Sequence, residues 1–242
     1  MQPKRVHYLT LFFSLLATQI FGAMEAPEGA KGKPGGKYGK AIYHRSFMAR
    51  IKKGPIGVLF LGDSITENML SKGKETFYDK FTAYQPACFG VGGEDNEHLL
   101  YRLTTGELNI SVPPKVVVLL IGVNNISHTG GKISAEKVAE GIKANVDEIR
   151  AKLPTSKLLL ISVLPFGKTT DSPNHVRVLE TNKIIQKFAD GKNIIYVDVY
   201  NKIMNGAKET PLDLMPDALH PNEKGYEVFY NALWPVMEPL LK

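Results

Sequence analysis

The stretch Val58-Leu59-Phe60-Leu61-Gly62-Asp63-Ser64-Ile65-Thr66 runs apolar, meets a glycine and turns polar. An apolar run of strand length, closed by glycine and followed by Asp, Ser and Thr, reads as a buried parallel strand feeding a helix N-terminus. Ser64 then stands at the carboxyl end of a strand. In an open α/β sheet that edge binds ligands, and helix N-terminal N–H groups face whatever a hydroxyl there touches. A serine so placed suits a nucleophile; the plainer reading is that Asp63 and Ser64 only cap the helix. A serine nucleophile also needs a base and donors for the oxyanion it creates. Asp217-Ala218-Leu219-His220 offers a base: His220 can take the serine proton while Asp217, three residues away on a turn, holds its other ring nitrogen. An isolated Asp-x-x-His is equally a solvated cap. Gly93 can bring a bare backbone N–H close to a substrate oxygen, or else serve a tight turn that needs positive φ. The amide of Asn124 can be a further donor, and its alternative role in Asn124-Asn125 is turn chemistry.

These residues matter only if the elements between them bring them together. After the first strand the pattern predicts a helix near Glu75 to Tyr84, a short strand near Ala87 to Phe89, and a helix from Asn96 to Leu103. Lys115 to Ile121 reads as a fully apolar strand. Ser134 to Leu153 follows, with Val138, Ile142, Val146, Ile149 and Leu153 at helical spacing. Lys157 to Val163 is a strand, Asn174 to Ala189 a helix, and Asn193 to Asp198 a fifth strand. A last helix begins near Asn222, with Tyr226, Phe229, Tyr230 and Leu233 on one face and Pro235 marking its end. Five apolar strands separated by helices predict a parallel sheet covered on both faces, doubly wound and flavodoxin-like: a three-layer α/β/α fold. In that topology Gly62-Asp63-Ser64, Phe89 to Gly93 and Gly122 to Asn125 follow successive strands onto one sheet edge. Asp217 and His220, just before the last helix, can join them there.

The order Gly62-Asp63-Ser64, Gly93, Asn124, Asp217-x-x-His220 resembles the SGNH, or GDSL, hydrolases, which are esterases and lipases on a flavodoxin-like fold. The resemblance spans roughly residues 56–240. It implies that Ser64 is the nucleophile, that Asp217 and His220 complete the triad, and that Ser64 N–H, Gly93 N–H and the Asn124 side chain form the oxyanion hole. Gly93 is preferred to Gly92 because it directly precedes the acidic position. Phe89 to Gly93, Arg102 to Leu108, Pro114 to Val118 and Leu164-Pro165 look most like the intracellular platelet-activating-factor acetylhydrolase catalytic subunits. That group usually has Asn before its Phe-Gly, Thr before its Asn-Asn and Leu-Pro-Arg-Gly, where this chain has Cys88, Val123 and Leu164-Pro165-Phe166-Gly167.

The beginning of the chain points outward. Lys4 and Arg5 precede a run of thirteen residues, Leu9 to Phe21, that is almost uninterruptedly apolar and is followed by Gly22 and Ala23. A membrane span needs about 20 apolar residues, so residues 1–23 read as a secretory signal peptide and no stable membrane span is expected. Residues 24–40, rich in Gly, Lys and Pro, read as a flexible tether, and residues 41–242 as the hydrolase domain. The leader and tether carry +4 of the formal +6, through Lys4, Arg5, Lys31, Lys33, Lys37 and Lys40 against Glu25 and Glu28. The remainder has no basic stripe with interleaved aromatics, which excludes a nucleic-acid reading. The single cysteine, Cys88, cannot form an intramolecular disulfide and reads as a buried small side chain. His98, His128, His175 and His220 lack the close spacing of a zinc site, and no cofactor is expected. Gly90-Val91-Gly92 has Asp95 where a dinucleotide fingerprint needs glycine, His128 to Lys132 is no phosphate loop, and the Gly-x-Ser-x-Gly elbow is absent.

Together these features predict an exported serine esterase that removes short acyl groups, acetyl above all, from a saccharide outside the cytoplasm. The alternatives are a lysophospholipase-like or platelet-activating-factor-acetylhydrolase-like lipid esterase, an acyltransferase using the same residues, and a catalytically silent saccharide-binding module. The oligomeric state is left open.

Overall fold

The computed structural model describes residues 41–242. The expected leader and tether fall on residues 1–40, outside those described. The described residues begin with helix α1 (Ala41–Lys52), strand β1 (Val58–Gly62), the one-turn helix α2 (Ser64–Glu67), helix α3 (Lys74–Phe81) and strand β2 (Pro86–Gly90). Helix α4 (Asn96–Arg102), strand β3 (Val116–Leu120), helix α5 (Val123–His128) and helix α6 (Ala135–Lys152) follow. Strand β4 (Lys157–Ile161), helix α7 (Pro173–Ile185), strand β5 (Ile194–Val197), helix α8 (Val199–Met204) and helix α9 (Glu223–Leu241) complete it. The strands are all parallel, in the order β2-β1-β3-β4-β5. This is the flavodoxin-like order expected from the alternation of strands and helices.

Every residue of β1 and β3 is buried, which explains why both read as unbroken apolar runs: each has helices on both of its faces. The register sets Gly62 beside Gly90 on one side and beside Leu120 on the other, so three strand ends are level where the site lies. Glycine is required at the end of β1, because a β-carbon on Gly62 would lie 2.1 Å from Leu120 O and 2.3 Å from Thr66 Oγ1. Helix α2 therefore starts tight against the sheet. It is pinned from the other side by Tyr226 of α9, whose buried hydroxyl donates to Ile65 O at 2.6 Å. Below it, Phe60 of β1 packs edge-on and tilted against Phe81 and Phe77 of α3, with ring centroids 5.1 and 5.2 Å away.

Several elements depart from the sequence reading, among them the six-residue helices α5 and α8, which it does not contain. Helix α9 does not stop at Pro235 but runs on to Leu241, past Pro239 as well. A proline inside a helix costs about 3 kcal/mol or more. Here that cost is opposed by burial of Met237 and Leu241, and by Lys115, whose ammonium donates to the carbonyls of Leu241 and Lys242 at 2.6 and 2.9 Å. Helix α1 is absent from the sequence reading, although Tyr43, Phe47 and Ile51 recur every fourth residue. Cys88 is half-buried; its Sγ donates to Thr66 O at 3.1 Å, and burial pushes the thiol up to about 12, which keeps it unreactive.

Asp63 does cap α2, accepting from Ile65 N–H at 2.9 Å, and it is fully buried. Burial raises its carboxyl to about 7, with the Glu94 and Asp95 charges adding to the rise and the Ile65 N–H opposing it. The native state thus holds a proton that the unfolded chain, with an aspartate near about 3.9, releases earlier. The stability this group contributes is complete below the unfolded value and is lost as pH rises through the folded one. Asp63→Asn should therefore gain stability relative to the parent between about pH 4 and pH 8, read as the difference in urea midpoints. A difference that stays constant across that range would contradict the buried, protonated Asp63.

Candidate active site

Ser64 is the first residue of α2, a position whose N–H has no acceptor within the helix. Its Oγ lies 2.9 Å from His220 Nε2. His220 Nδ1 in turn lies 2.7 Å from Asp217 Oδ2, so the imidazole is held between hydroxyl and carboxylate. Asp217 Oδ1 accepts from the backbone N–H groups of Leu219 and His220 at 3.0 and 2.7 Å. Those bonds fold the Asp-x-x-His segment back on itself and bring both side chains to one side. The turn passes through Ala218 at φ +57°, a left-handed conformation strained for a residue with a β-carbon. Ala218 is buried, and its carbonyl accepts from Gly167 N–H at 3.0 Å, which ties the turn to the loop after β4. Burial tends to raise the Asp217 carboxyl. The N–H groups of His220 and Leu219 and the His220 ring outweigh it, holding the carboxylate below its usual range. Asp217 is thereby kept ionised beside the imidazole, where it favours the tautomer that leaves Nε2 free to accept from Ser64.

Gly93 follows β2 and Asn124 follows β3, at the same edge of the sheet as Ser64. Gly93 has φ +72°, as a tight turn there requires, and among the described residues its N–H has no backbone or side-chain acceptor. Asn124 sits in the first turn of α5, immediately after Gly122 at φ +114° and Val123. Its Nδ2 donates to Glu94 O at 2.9 Å. One amide hydrogen orients the side chain, and the second remains for a ligand. Asn125 takes the structural part: its Oδ1 accepts from Asn96 N–H at 3.0 Å and its Nδ2 donates to Glu97 at 2.9 Å. Ser64, Gly93, Asn124, Asp217 and His220 are thus all held at the carboxyl edge of the sheet.

A buried ionic group underlies the β2 loop. Arg102, at the end of α4, donates to Glu94 Oε2 at 2.8 Å and to Phe89 O at 3.1 Å, and it also bonds Glu107. Glu107 has a further contact with His44 of α1, Nδ1 to Oε1 at 2.8 Å. None of this is evident from local pattern, because the partners come from different elements. Glu67 is another residue that sequence reasoning misses. One turn after Ser64, its Oε2 accepts from Gly92 N–H at 2.8 Å while its Oε1 accepts from Tyr43 OH at 2.7 Å. The spacing from Ser64 to Glu67 is the one available signal, since residues three apart on a helix share a face. The histidines outside the relay have structural partners. His175 is buried against the Tyr200 hydroxyl at 2.5 Å, with its basicity lowered by burial, and His128 contacts Asp95 at 3.0 Å.

Comparison with known proteins shows the family to which the chain belongs. Residues 60–228 match the GDSL-like Lipase/Acylhydrolase family. The chain is 37% identical over 148 residues to the platelet-activating factor acetylhydrolase IB subunit beta homolog of Drosophila melanogaster, covering 61% of this chain and 60% of that protein. It is 30% identical over 202 residues to the platelet-activating factor acetylhydrolase IB subunit alpha2 of Rattus norvegicus, covering 82% of this chain and 83% of that one. The crystal structure of a GDSL-like lipase from Bacteroides thetaiotaomicron superposes with a TM-score of 0.66 at 21% identity, over 81% of this chain and 97% of that one, a likeness of fold. With its parallel five-stranded sheet and the motif order on that sheet's edge, the chain belongs to the GDSL-like lipase/acylhydrolase family, whose members are ester-hydrolysing enzymes.

Proposed function

We propose that this acylhydrolase is a serine esterase that removes short acyl groups, acetyl above all, from a saccharide outside the cytoplasm. The observation that carries the mechanism is the continuous relay from Ser64 Oγ through His220 to Asp217, with bonds of 2.9 and 2.7 Å. Ser64 attacks the ester carbonyl as His220 Nε2 takes its proton, and the carbonyl oxygen becomes the tetrahedral oxyanion. Ser64 N–H, Gly93 N–H and the free amide hydrogen of Asn124 receive that charge. His220 passes the proton to the leaving alcohol oxygen as the C–O bond breaks, leaving an acyl-Ser64. Water, deprotonated by the same imidazole, attacks the acyl carbon, and the acid departs with Ser64 reprotonated. Asp217 carries no proton in this cycle; it stabilises the imidazolium by charge.

The substrate reading has separate support. Acetyl is the group named for the platelet-activating factor acetylhydrolase subunits to which the chain is similar. Phe166 stands where the motif of that group has arginine, and its loop reaches the Asp217–His220 turn through Gly167. With phenylalanine in place of arginine that position supplies no guanidinium to pair with a phosphate, which supports an alcohol without one, such as a sugar. The secretory character of residues 1–23 supports an extracytoplasmic site of action. Among the described residues no helix is long and apolar enough to cross a membrane. The names of the same relatives favour a second reading, in which the alcohol is a lipid.

The experiment is hydrolysis of p-nitrophenyl esters from acetate to long chain, followed by acetylated oligosaccharides and an acetylated phospholipid. Acetate should be the best acyl group, and Ser64→Ala should lose at least about 10³ in kcat. Turnover confined to long-chain lipid esters would overturn the substrate reading, and an active Ser64→Ala would overturn the mechanism. If an added sugar acceptor diverts the acyl group from water, the protein is an acyltransferase. For the oxyanion site, Asn124→Ala should cost about 10² to 10³ in kcat with little change in KM; a rise in KM with kcat intact would place Asn124 in ground-state binding instead.

A further inference from the structure

Glu67 lies beside the serine without belonging to the relay. Its two carboxylate oxygens have separate partners, Oε2 taking the Gly92 N–H at 2.8 Å and Oε1 the Tyr43 hydroxyl at 2.7 Å. A β-carbon built on Gly92 would stand 2.9 Å from Glu67 Oε2 and 3.8 Å from Ser64 Cβ. The first approach is too tight for a β-carbon unless the carboxylate moves, and the second is ordinary contact, so the absent side chain of Gly92 lets the Glu67 carboxylate take this position. The Gly92 N–H is consumed by Glu67, and the next residue, Gly93 at φ +72°, turns the chain so that its own N–H is left without an acceptor among the described residues.

The partner that fixes Glu67 comes from outside the region matched by the family, which begins at residue 60. Tyr43 belongs to α1, and α1 is seated firmly on the end of β2. Phe47 stacks on Phe89 with centroids 4.4 Å apart, the Arg102 guanidinium lies 5.4 Å from the Phe47 ring centroid, and His44 bonds Glu107. The hydrogen bond to Glu67, followed by burial and the Glu67 charge, raises Tyr43 above the ordinary tyrosine range, so its hydroxyl stays protonated and donates. Two neighbouring residues of one helix thus reach two carboxylates: Glu67 holds the Gly92 N–H directly, and Glu107 pairs with Arg102, which in turn bonds Phe89 O and Glu94.

We infer that Glu67, braced by Tyr43 of α1, is a positioning residue that sets the peptide of Gly92 and so presents the Gly93 N–H to the oxyanion. The inference rests on the serine esterase reading above and deepens it. It also gives a physical reason for choosing Gly93 over Gly92 as the donor. Glu67 transfers no proton in this scheme; it acts through the backbone.

The test uses the full chain and p-nitrophenyl acetate, with kcat expressed per active site titrated by a fluorophosphonate. Glu67→Ala should lower kcat by about 10- to 100-fold with KM nearly unchanged, as expected when one oxyanion donor is misplaced. Its pH profile should keep the parental acid midpoint, since the relay is untouched. Glu67→Gln retains an oxygen that can accept from Gly92 and should recover to within about 5-fold of the parent. Tyr43→Phe, which leaves Glu67 in place, should lose about 3- to 10-fold, and it carries the test if Glu67→Ala does not fold. Parental kcat per site in Glu67→Ala, or in Tyr43→Phe where that variant stands in, would overturn the inference. So would a Glu67→Gln variant as slow as Glu67→Ala. Ser64→Ala, assayed in parallel per mole of protein because it has no serine to titrate, separates the two layers. Undiminished turnover there would topple the esterase reading itself, whereas a silent Ser64→Ala beside a fully active Glu67→Ala would remove only the role of Glu67.

Discussion

The bond from Ser64 Oγ to His220 Nε2 joins residues 156 positions apart in the chain. Nothing local can make it. It requires β1 to end level with β2 and β3, α2 to start directly at that end, and the turn before α9 to return to the same edge. Each condition has its own interaction. The register of Gly62 with Gly90 and Leu120 levels the strand ends, and Tyr226 OH on Ile65 O ties α9 to α2. The Asp217 carboxylate, gathering the N–H groups of Leu219 and His220, holds the strained Ala218 turn in the one shape that aims the imidazole at the serine. Strain kept at such a position persists only when its surroundings over-determine it, and here several bonds do so.

The electrostatic arrangement around the serine is as constrained as the geometry. Asp63, Glu94 and Glu107 are fully buried close to the β2 end, a density of carboxyl groups that burial alone would penalise heavily. They are accommodated in different ways. Burial pushes the Asp63 carboxyl up to about 7, toward its neutral form, while Glu94 and Glu107 share the buried guanidinium of Arg102. A group of this kind adds little net stability compared with apolar packing, but loss of one member strands the others, at about 3–5 kcal/mol. Its value here is geometric: Arg102 also holds Phe89 O, and the backbone carbonyl of Glu94 orients Asn124. A charge cluster far from water thereby steadies the loop that carries Gly93 and the amide of Asn124.

Much of this is legible in the sequence. The fully apolar runs at Val58 and Val116 announce strands buried on both faces, and the glycine that closes the first puts Ser64 at a strand's carboxyl end on pattern alone. Gly93, Asn124, Asp217 and His220 are legible because each follows a recognisable strand or precedes a helix. What escapes is decided by contacts between distant elements. Helix α1 carries a helical spacing of its own, but its contacts with Glu67 and Glu107, 24 and 63 residues away from Tyr43 and His44, have no local signal. The continuation of α9 through Pro235 is hidden for a similar reason, since burial of Met237 and Leu241 and the cap from Lys115 override a local signal to stop. Local propensity locates the chemistry; the supports that hold it lie in tertiary pairings with no period of their own.

The central claim is that the reaction proceeds through a covalent bond to Ser64. It is tested most directly by quenching the protein during turnover of an acetyl ester, or after treatment with a fluorophosphonate, and mapping the adduct by peptide mass spectrometry. A single adduct on Ser64, formed in step with loss of activity and absent from Ser64→Ala, is the result this structure predicts. A stoichiometric adduct on another residue, or full inactivation with Ser64 unmodified, would contradict it.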